Sequence, residues 1–337
     1  MTDTLLDVRD LQVEFNTEDG VVAAVNGVSF SVRQGETLAI VGESGSGKSV
    51  SALSVMGLIE KPGRIANGAI TFEGRSLTSM SERDYRKLRG GDLAMIFQDP
   101  LSSLNPAFRV GDQIAEALLT HTYESKKAAR RQAAVLLDLV GIPQAGDRAR
   151  DYPHQFSGGM RQRAMIAMAI ANKPKLLIAD EPTTALDVTI QAQVLEVLRK
   201  AQRDTDAAML LITHDLGVVA GMADRVVVMY AGRIVEEGAL DELFYAPRHP
   251  YTLGLLTSLP RLDSDRREPL RTIPGTPPSV LNLPPGCALA PRCAFVQDHC
   301  RVERPELEPV GPATHRSACF RSAELPALSG AMTDAPS

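Results

Sequence analysis

No run of apolar residues in this sequence approaches the 18 or more that a membrane-spanning helix needs. The longest, Ala164 to Ala171, is eight residues and lies between Arg163 and Asn172. Any role at a membrane therefore needs a partner that crosses it. The N-terminus, Met1-Thr2-Asp3-Thr4-Leu5, has neither the basic start nor the apolar stretch of a signal peptide, so the chain is expected to stay in the cytosol. An excess of positive charge is also missing. The 36 Lys and Arg against 41 Asp and Glu leave a formal net charge of -5, which argues against a nucleic-acid binder held by a basic surface. Cysteine is absent from the first 286 residues, and Cys287, Cys293, Cys300 and Cys319 then follow close together. A reducing compartment disfavours structural disulfides, so metal binding stands beside free thiols as the reading of this cluster.

Lysine is absent from residues 246–337, which hold fifteen of the 22 prolines, so composition breaks near residue 246. Ahead of the break, apolar runs of strand length alternate with longer helical patterns, as in α/β layering. Leu6 to Phe15 and Val21 to Val32 read as antiparallel strands around a turn at residues 16–20. Thr37 to Val41 reads as a buried strand leading into a helix near Lys48. Helical periodicity dominates from about Val110 to Ala171, including Lys126 to Val140. Strands return at Lys175 to Ala179, Ala207 to Ile212 and Arg225 to Tyr230. No internal repeat is visible.

Gly42-Glu43-Ser44-Gly45-Ser46-Gly47-Lys48-Ser49 fits the P-loop pattern and lies between an expected strand and an expected helix. Glycines let the loop wrap so that backbone N–H groups and the helix start face phosphates. Lys48 would neutralise phosphate charge and the Ser49 hydroxyl would ligate Mg²⁺. Lys175 to Glu181 is an apolar strand ending in two acids, a Walker B segment. Asp180 would hold Mg²⁺ through its hydration shell and Glu181 would polarise the attacking water. Alone, such a pair could equally cap a helix, with Pro182 at its first position; beside a P-loop the catalytic reading prevails.

Gln98 and His214 each follow an expected strand, so both belong at the nucleotide edge of the sheet, Gln98 near Mg²⁺ and water, His214 near the γ-phosphate. Taken singly, either would read as a surface loop residue. Ser157-Gly158-Gly159 opens an expected helix with no bulky side chains in the way, which suits a phosphate or a simple glycine-rich cap. A second anion-binding helix start in a chain that already has a P-loop suggests a nucleotide contacted across a dimer.

The order P-loop, Gln98, Ser157-Gly158-Gly159, Asp180-Glu181, Ala185-Leu186-Asp187, His214 resembles the ABC transporter ATPase family from residue 5 to about 245. That resemblance implies a head-to-tail dimer with ATP between one subunit's P-loop and the other's signature helix, Asp187 in the D-loop at the interface, and Phe15 stacked on adenine. The signature departs from Leu-Ser-Gly-Gly-Gln in having Phe156 and Met160, while Ser157 and Gly158 are kept. Residues 97–106, Arg248-His249-Pro250-Tyr251-Thr252 and the cysteine-rich tail further resemble the ATP-binding subunits of bacterial dipeptide and oligopeptide importers, nearest the dipeptide type. Nickel importers share that branch. The implied partners are a related second ATP-binding subunit, two membrane permeases and an extracytoplasmic peptide-binding protein, with no nucleic acid, at the cytoplasmic face of the membrane. A soluble ABC ATPase acting on nucleic acid or ribosomes is the rival, but it would carry paired domains or Cys-x-x-Cys modules that this chain lacks. An exporter would carry fused membrane helices.

The expected architecture is therefore α/β. An ABC-type P-loop ATPase core, with an antiparallel β subdomain and a helical subdomain at about residues 110–171, fills residues 1–245. A small Pro/Cys-rich C-terminal domain fills residues 246–337, with its last fifteen or so residues disordered. For the tail, four thiols with no obligatory histidine suit zinc or an iron–sulfur cluster. No cysteine pair has the spacing of two to four residues usual for structural zinc, so a [4Fe-4S] cluster is favoured over Zn²⁺. Reduced free thiols, and His299 or His315 as substitute ligands, remain open at this stage.

Overall fold

The computed structural model describes residues 4–122, 125–184, 186–258, 273–311 and 314–325. The expected disorder at the C-terminus, for residues 326–337, and the D-loop residue Ala185 lie outside the described residues.

β1 (Thr4–Thr17) and β2 (Gly20–Arg33) form an antiparallel hairpin in which Thr17 faces Gly20, a tighter turn than the sequence suggested. The period of two in β1 breaks at Asp10, whose left-handed backbone (φ 47°) accompanies a register shift between Val8 and Leu11. The extra residue returns Leu11 and Val13 to the core alongside Leu6 and Val8; without it they would face solvent.

β3 (Thr37–Val41) is buried along its whole length, as a strand covered on both faces must be. β4 (Gly63–Phe72) pairs with the second edge of β1 and, with β5 (Arg75–Ser76), completes a sheet ordered β2-β1-β4-β5. β6 (Leu93–Ile96), β7 (Leu176–Asp180), β8 (Ala208–Thr213) and β9 (Arg225–Tyr230) form a parallel array with β3. β10 (Arg233–Ala239), β11 (Glu308–Pro309) and β12 (Arg316–Ser317) extend it antiparallel, giving the order β11-β12-β10-β9-β3-β8-β7-β6. β12 pairs with Glu236 and Glu237 of β10. The proline-rich tail thus joins the sheet that carries the P-loop.

Alternate residues of the parallel strands serve two cores. Leu176, Ile178, Leu210 and Ile212 face the antiparallel sheet, whereas Leu177, Ala179, Met209 and Leu211 face the helices. Among those helices, Lys126–Leu139 is capped by Ser125, whose hydroxyl accepts from the Ala128 N–H at 3.2 Å. It buries Ala129, Ala133, Leu136 and Leu137, a spacing that keeps one stripe inward. Each of those leucines contributes about 1.5–3 kcal/mol by burial. Val110–Thr122 and Gly158–Ala169 complete the same packed group.

The chain leaves β3 for the far edge at β6, steps back through β7 and β8, then crosses β3 to reach β9. Strand order therefore reverses beside β3, and open α/β sheets bind ligands at such a point, beyond the carboxyl ends of the strands. Both Gly42 and Glu181 lie at that edge.

Candidate active site

The P-loop, Gly42 to Ser49, joins β3 to the helix Lys48–Val55. Gly47 has φ 98°, and a Cβ there would meet the Ala24 carbonyl at 2.5 Å, so the turn accepts glycine alone. Buried Lys48 donates from Nζ to the carbonyls of Gly42 (2.7 Å) and Glu43 (2.9 Å). Burial lowers its pKa, and the nearby Glu181, Asp180 and Glu43 carboxylates work against that shift. The start of the Lys48 helix, the loop amides and this cation together form an anion cradle.

Ser49 Oγ donates to Asp180 Oδ1 at 2.9 Å. Burial raises the Asp180 pKa, the Ser49 hydrogen bond lowers it, and neighbouring Glu181 raises it further. Two hard oxygen donors beside a desolvated carboxylate suit Mg²⁺. Glu181, which follows β7, has a left-handed backbone conformation (φ 46°). Its Oε2 accepts from Gln98 Nε2 (3.0 Å) and from Thr184 Oγ1 (2.8 Å), and its Oε1 lies 3.3 Å from His214 Nδ1. Residues from three separate loops thus converge on one carboxylate. Gln98 and His214 were expected in this neighbourhood; Thr184 was not. Its only sequence mark is its place three residues after Glu181.

Ser157 caps the helix Gly158–Ala169, its hydroxyl accepting from the Met160 N–H at 3.3 Å. Among the described residues no hydrogen bond joins Ser157, Gly158 or Gly159 to the P-loop, Asp180 or Glu181. Gly159 packs so closely on the next helix, Val188–Thr205, that a Cβ would meet Ile190 Cγ2 at 2.6 Å, while Gly158 stays exposed. Asp187 caps that second helix, accepting from the Ile190 N–H at 2.9 Å. Phe15 lies in β1 opposite Val22 and Gly63, partly buried against the core.

The tail reaches the P-loop, which the sequence did not reveal. Arg292 donates to both carboxylate oxygens of Glu43, and the Tyr251 hydroxyl accepts from the Glu43 N–H at 2.8 Å. Arg292 also donates to the Tyr230 hydroxyl at 3.2 Å. The Glu43 hydrogen bonds raise the Arg292 pKa well above its usual value.

All four cysteines line one narrow, apolar cavity with Phe295 and Phe320. Burial raises the pKa of Cys287 and Cys293, and takes Cys319 up to about 12; the neighbouring thiols add to each shift. His315 is not with them: its Nε2 lies 2.8 Å from Glu236 Oε1, with both side chains buried. His299 Nε2 is 3.9 Å from Cys300 Sγ, and its ring packs edge-on against Phe320. Among the described residues no group of three or more His, Cys, Asp or Glu side chains is set to hold a single metal ion. In that respect the described residues lend no support to a metal at the four cysteines, whether an iron–sulfur cluster or Zn²⁺.

Residues 25–184 match the ABC transporter family, and residues 235–300 match the oligopeptide/dipeptide transporter C-terminal region. The chain is 53% identical to an oligopeptide transport ATP-binding protein of Salmonella typhimurium, over 95% of this chain and 94% of that one. It is 56% identical to a dipeptide transport ATP-binding protein of Bacillus subtilis, over 86% of each. A dimeric ATP-binding cassette solved in a post-hydrolysis state with ADP and Pi superposes with a TM-score of 0.63 at 24% identity, covering 70% of this chain and 98% of the other, a likeness of fold. With its motifs assembled on that fold, this chain is an ATPase of the ABC transporter family, in the branch of oligopeptide/dipeptide transport ATP-binding proteins.

Proposed function

We propose that this chain hydrolyses ATP to drive import of dipeptides or oligopeptides through separate membrane permeases. The observation that carries the reading is the convergence of Gln98, Thr184 and His214 on Glu181, one residue from the Ser49–Asp180 contact. Three partners hold the carboxylate where a water could attack a γ-phosphate lying in the P-loop. In the step, the water oxygen bonds to phosphorus, the bond to the ADP oxygen breaks, and Glu181 takes the water's proton. His214 would hydrogen-bond the γ-phosphate, and Lys48 would move from the loop carbonyls to phosphate oxygens. Ser49 and Gln98, with Asp180 through water, would hold Mg²⁺, which supplies charge neutralisation when bound.

Among the described residues the capped start of the Ser157 helix has no hydrogen bond to that site. It would bind the nucleotide of a second ATP-binding subunit in a head-to-tail pair, with Asp187 at the interface and Phe15 against adenine. Among the described residues no helix is long and apolar enough to cross a membrane. The chain would therefore act at the cytoplasmic face, with two permeases and an extracytoplasmic peptide-binding protein supplying passage and substrate choice. We divide it at residue 245, with the tail as a C-terminal region whose short strands extend the ATPase sheet.

For the tail, the gathering of all four thiols on one cavity supports a [4Fe-4S] cluster held by Cys287, Cys293, Cys300 and Cys319. Iron would stabilise the thiolates that burial disfavours. The cluster would order a segment with little apolar content of its own.

The test is reconstitution of the complete transporter in vesicles. Peptide with its binding protein should stimulate ATP turnover, and the isolated subunit should hydrolyse slowly and in a concentration-dependent way. Stimulation by Ni²⁺ and not by peptide would replace the cargo. Full turnover by the lone monomer would overturn the shared site.

A further inference from the structure

A cavity of about 240 Å³ lies on the seam between β10, the β1–β2 hairpin and the C-terminal segment. It is smaller than the pockets that take drug-sized molecules. Its lining carries charge of both signs. Arg233 and Arg304 supply two guanidinium groups, and Asp10 and Glu306 supply two carboxylates. None of these four makes an ion pair among the described residues. A third guanidinium, Arg316, is already bound to Glu237 at 2.9 Å and to the Leu307 carbonyl. His249, also in the lining, is held neutral by burial, and its Nδ1 accepts from the Tyr251 N–H.

Arg233 is the anomaly. Its Nε is buried with no hydrogen-bond partner. Burial, then repulsion from Arg304, lowers its pKa, and Glu306 offsets this only in part. Arg233 is half-buried, and Asp10, Arg304 and Glu306 are exposed; an N–H shut away unpaired is costly, and a carboxylate is the partner that fits a guanidinium's planar fork. Here the two protein carboxylates share the cavity but stay apart from both arginines. Leu283, Leu289 and Ile234 add apolar lining. An occupant that matches this lining carries an anion and a cation on a small, partly aliphatic body.

We propose that the cavity binds a small zwitterion, a short peptide or an amino acid, with its carboxylate on Arg233 and Arg304 and its ammonium on Asp10 or Glu306. The site is distinct from the nucleotide cradle and stands whatever cargo the transporter carries. It adjoins that cradle nonetheless, since Tyr230 lines the cavity and its hydroxyl accepts from Arg292, the residue that grips Glu43.

Isothermal titration of the full-length protein with the dipeptide Gly-Leu tests the proposal, with Gly-Leu amide, N-acetyl-Gly-Leu and inorganic phosphate as comparison probes. Gly-Leu should bind saturably at one site, and removing either terminal charge should weaken it by about tenfold or more. Arg304→Gln, at an exposed position, should weaken binding about tenfold while leaving the melting temperature unchanged, and Arg233→Gln should do so more strongly. Absence of saturable binding at millimolar peptide would overturn the proposal. So would equal affinity for the acetylated peptide or phosphate, which would mark a plain anion site, and so would unchanged binding in Arg304→Gln.

Discussion

Arg292 donates two hydrogen bonds, of 2.7 and 3.0 Å, to the carboxylate of Glu43, so a residue of the cysteine-bearing tail grips the second residue of the P-loop. The Arg292 side chain is 5% exposed and that of Glu43 is 29% exposed, so the pair is shielded from solvent on the arginine side. Arg292→Ala should cost about 1.5–3 kcal/mol of stability, the range for hydrogen bonds to charged groups. It should also weaken ATP binding, because Glu43 belongs to the loop that must hold its shape. Denaturant unfolding and nucleotide titration read the two effects. Arg292→Lys should recover only part of either, since lysine cannot engage both oxygens in the same planar way.

Glu181→Gln should retain ATP binding and lower turnover by about 10²–10⁴, the usual contribution of a general base. Lys48→Ala should instead lose binding, because it removes the cation of the phosphate cradle. Affinity and turnover measured separately on both variants distinguish the roles. Near-normal turnover in Glu181→Gln would remove Glu181 from the chemistry.

Thr184→Val deletes the hydroxyl that donates to Glu181 Oε2 at 2.8 Å. One neutral-to-charged hydrogen bond of about 1.5 kcal/mol corresponds to roughly tenfold in turnover, with ATP affinity kept. In a Glu181→Gln background the same change should add little, as expected when one residue acts through another. Full additivity in this double-mutant cycle would show that Thr184 works elsewhere.

His249 is buried, and burial depresses its pKa to about 3. In the unfolded chain a histidine titrates near 6.5. The folded state therefore binds fewer protons than the unfolded state between those values. Stability is complete above about pH 6.5 and falls by about 1.4 kcal/mol per unit as pH drops toward 3. His249→Asn should flatten this part of the profile. Urea midpoints at a series of pH values would show whether the slope is lost.

Anaerobic purification followed by iron, sulfide and zinc analysis should find iron and sulfide in equal amounts, four of each per chain. Serine substitutions at Cys287 or Cys319 should release them and lower the melting temperature. Zinc without iron would refute the cluster, and absence of any metal would refute the site.

The ATP site was legible because its chemistry is written in short spacings. A strand, a glycine-rich loop and Lys48-Ser49 occupy adjacent positions, and Asp180-Glu181 close a second apolar strand. Gln98 and His214 could be placed because a residue after a parallel strand lands at the same sheet edge. β4 was not legible: it includes Arg64, Asn67 and Gly68, and its polar positions blur the alternation that marks a strand. The tail's contacts were not legible either. Glu43 and Arg292 are 249 residues apart, and nothing near either one announces the other. Buried Glu236 is similar, meeting His315 from 79 residues away.

That long separation orders events during synthesis. Growing at about 5–20 residues per second, the chain exposes Glu43 roughly 10 to 50 s before Arg292. β8 and β9, the strands that flank β3, are both made in that interval, but the P-loop waits for its grip. A polypeptide truncated ahead of residue 292 would carry every ATP-binding motif and still hold the loop loosely. A late-made segment thus steadies an early-made loop, so that the grip on the nucleotide site forms only once residue 292 has been made.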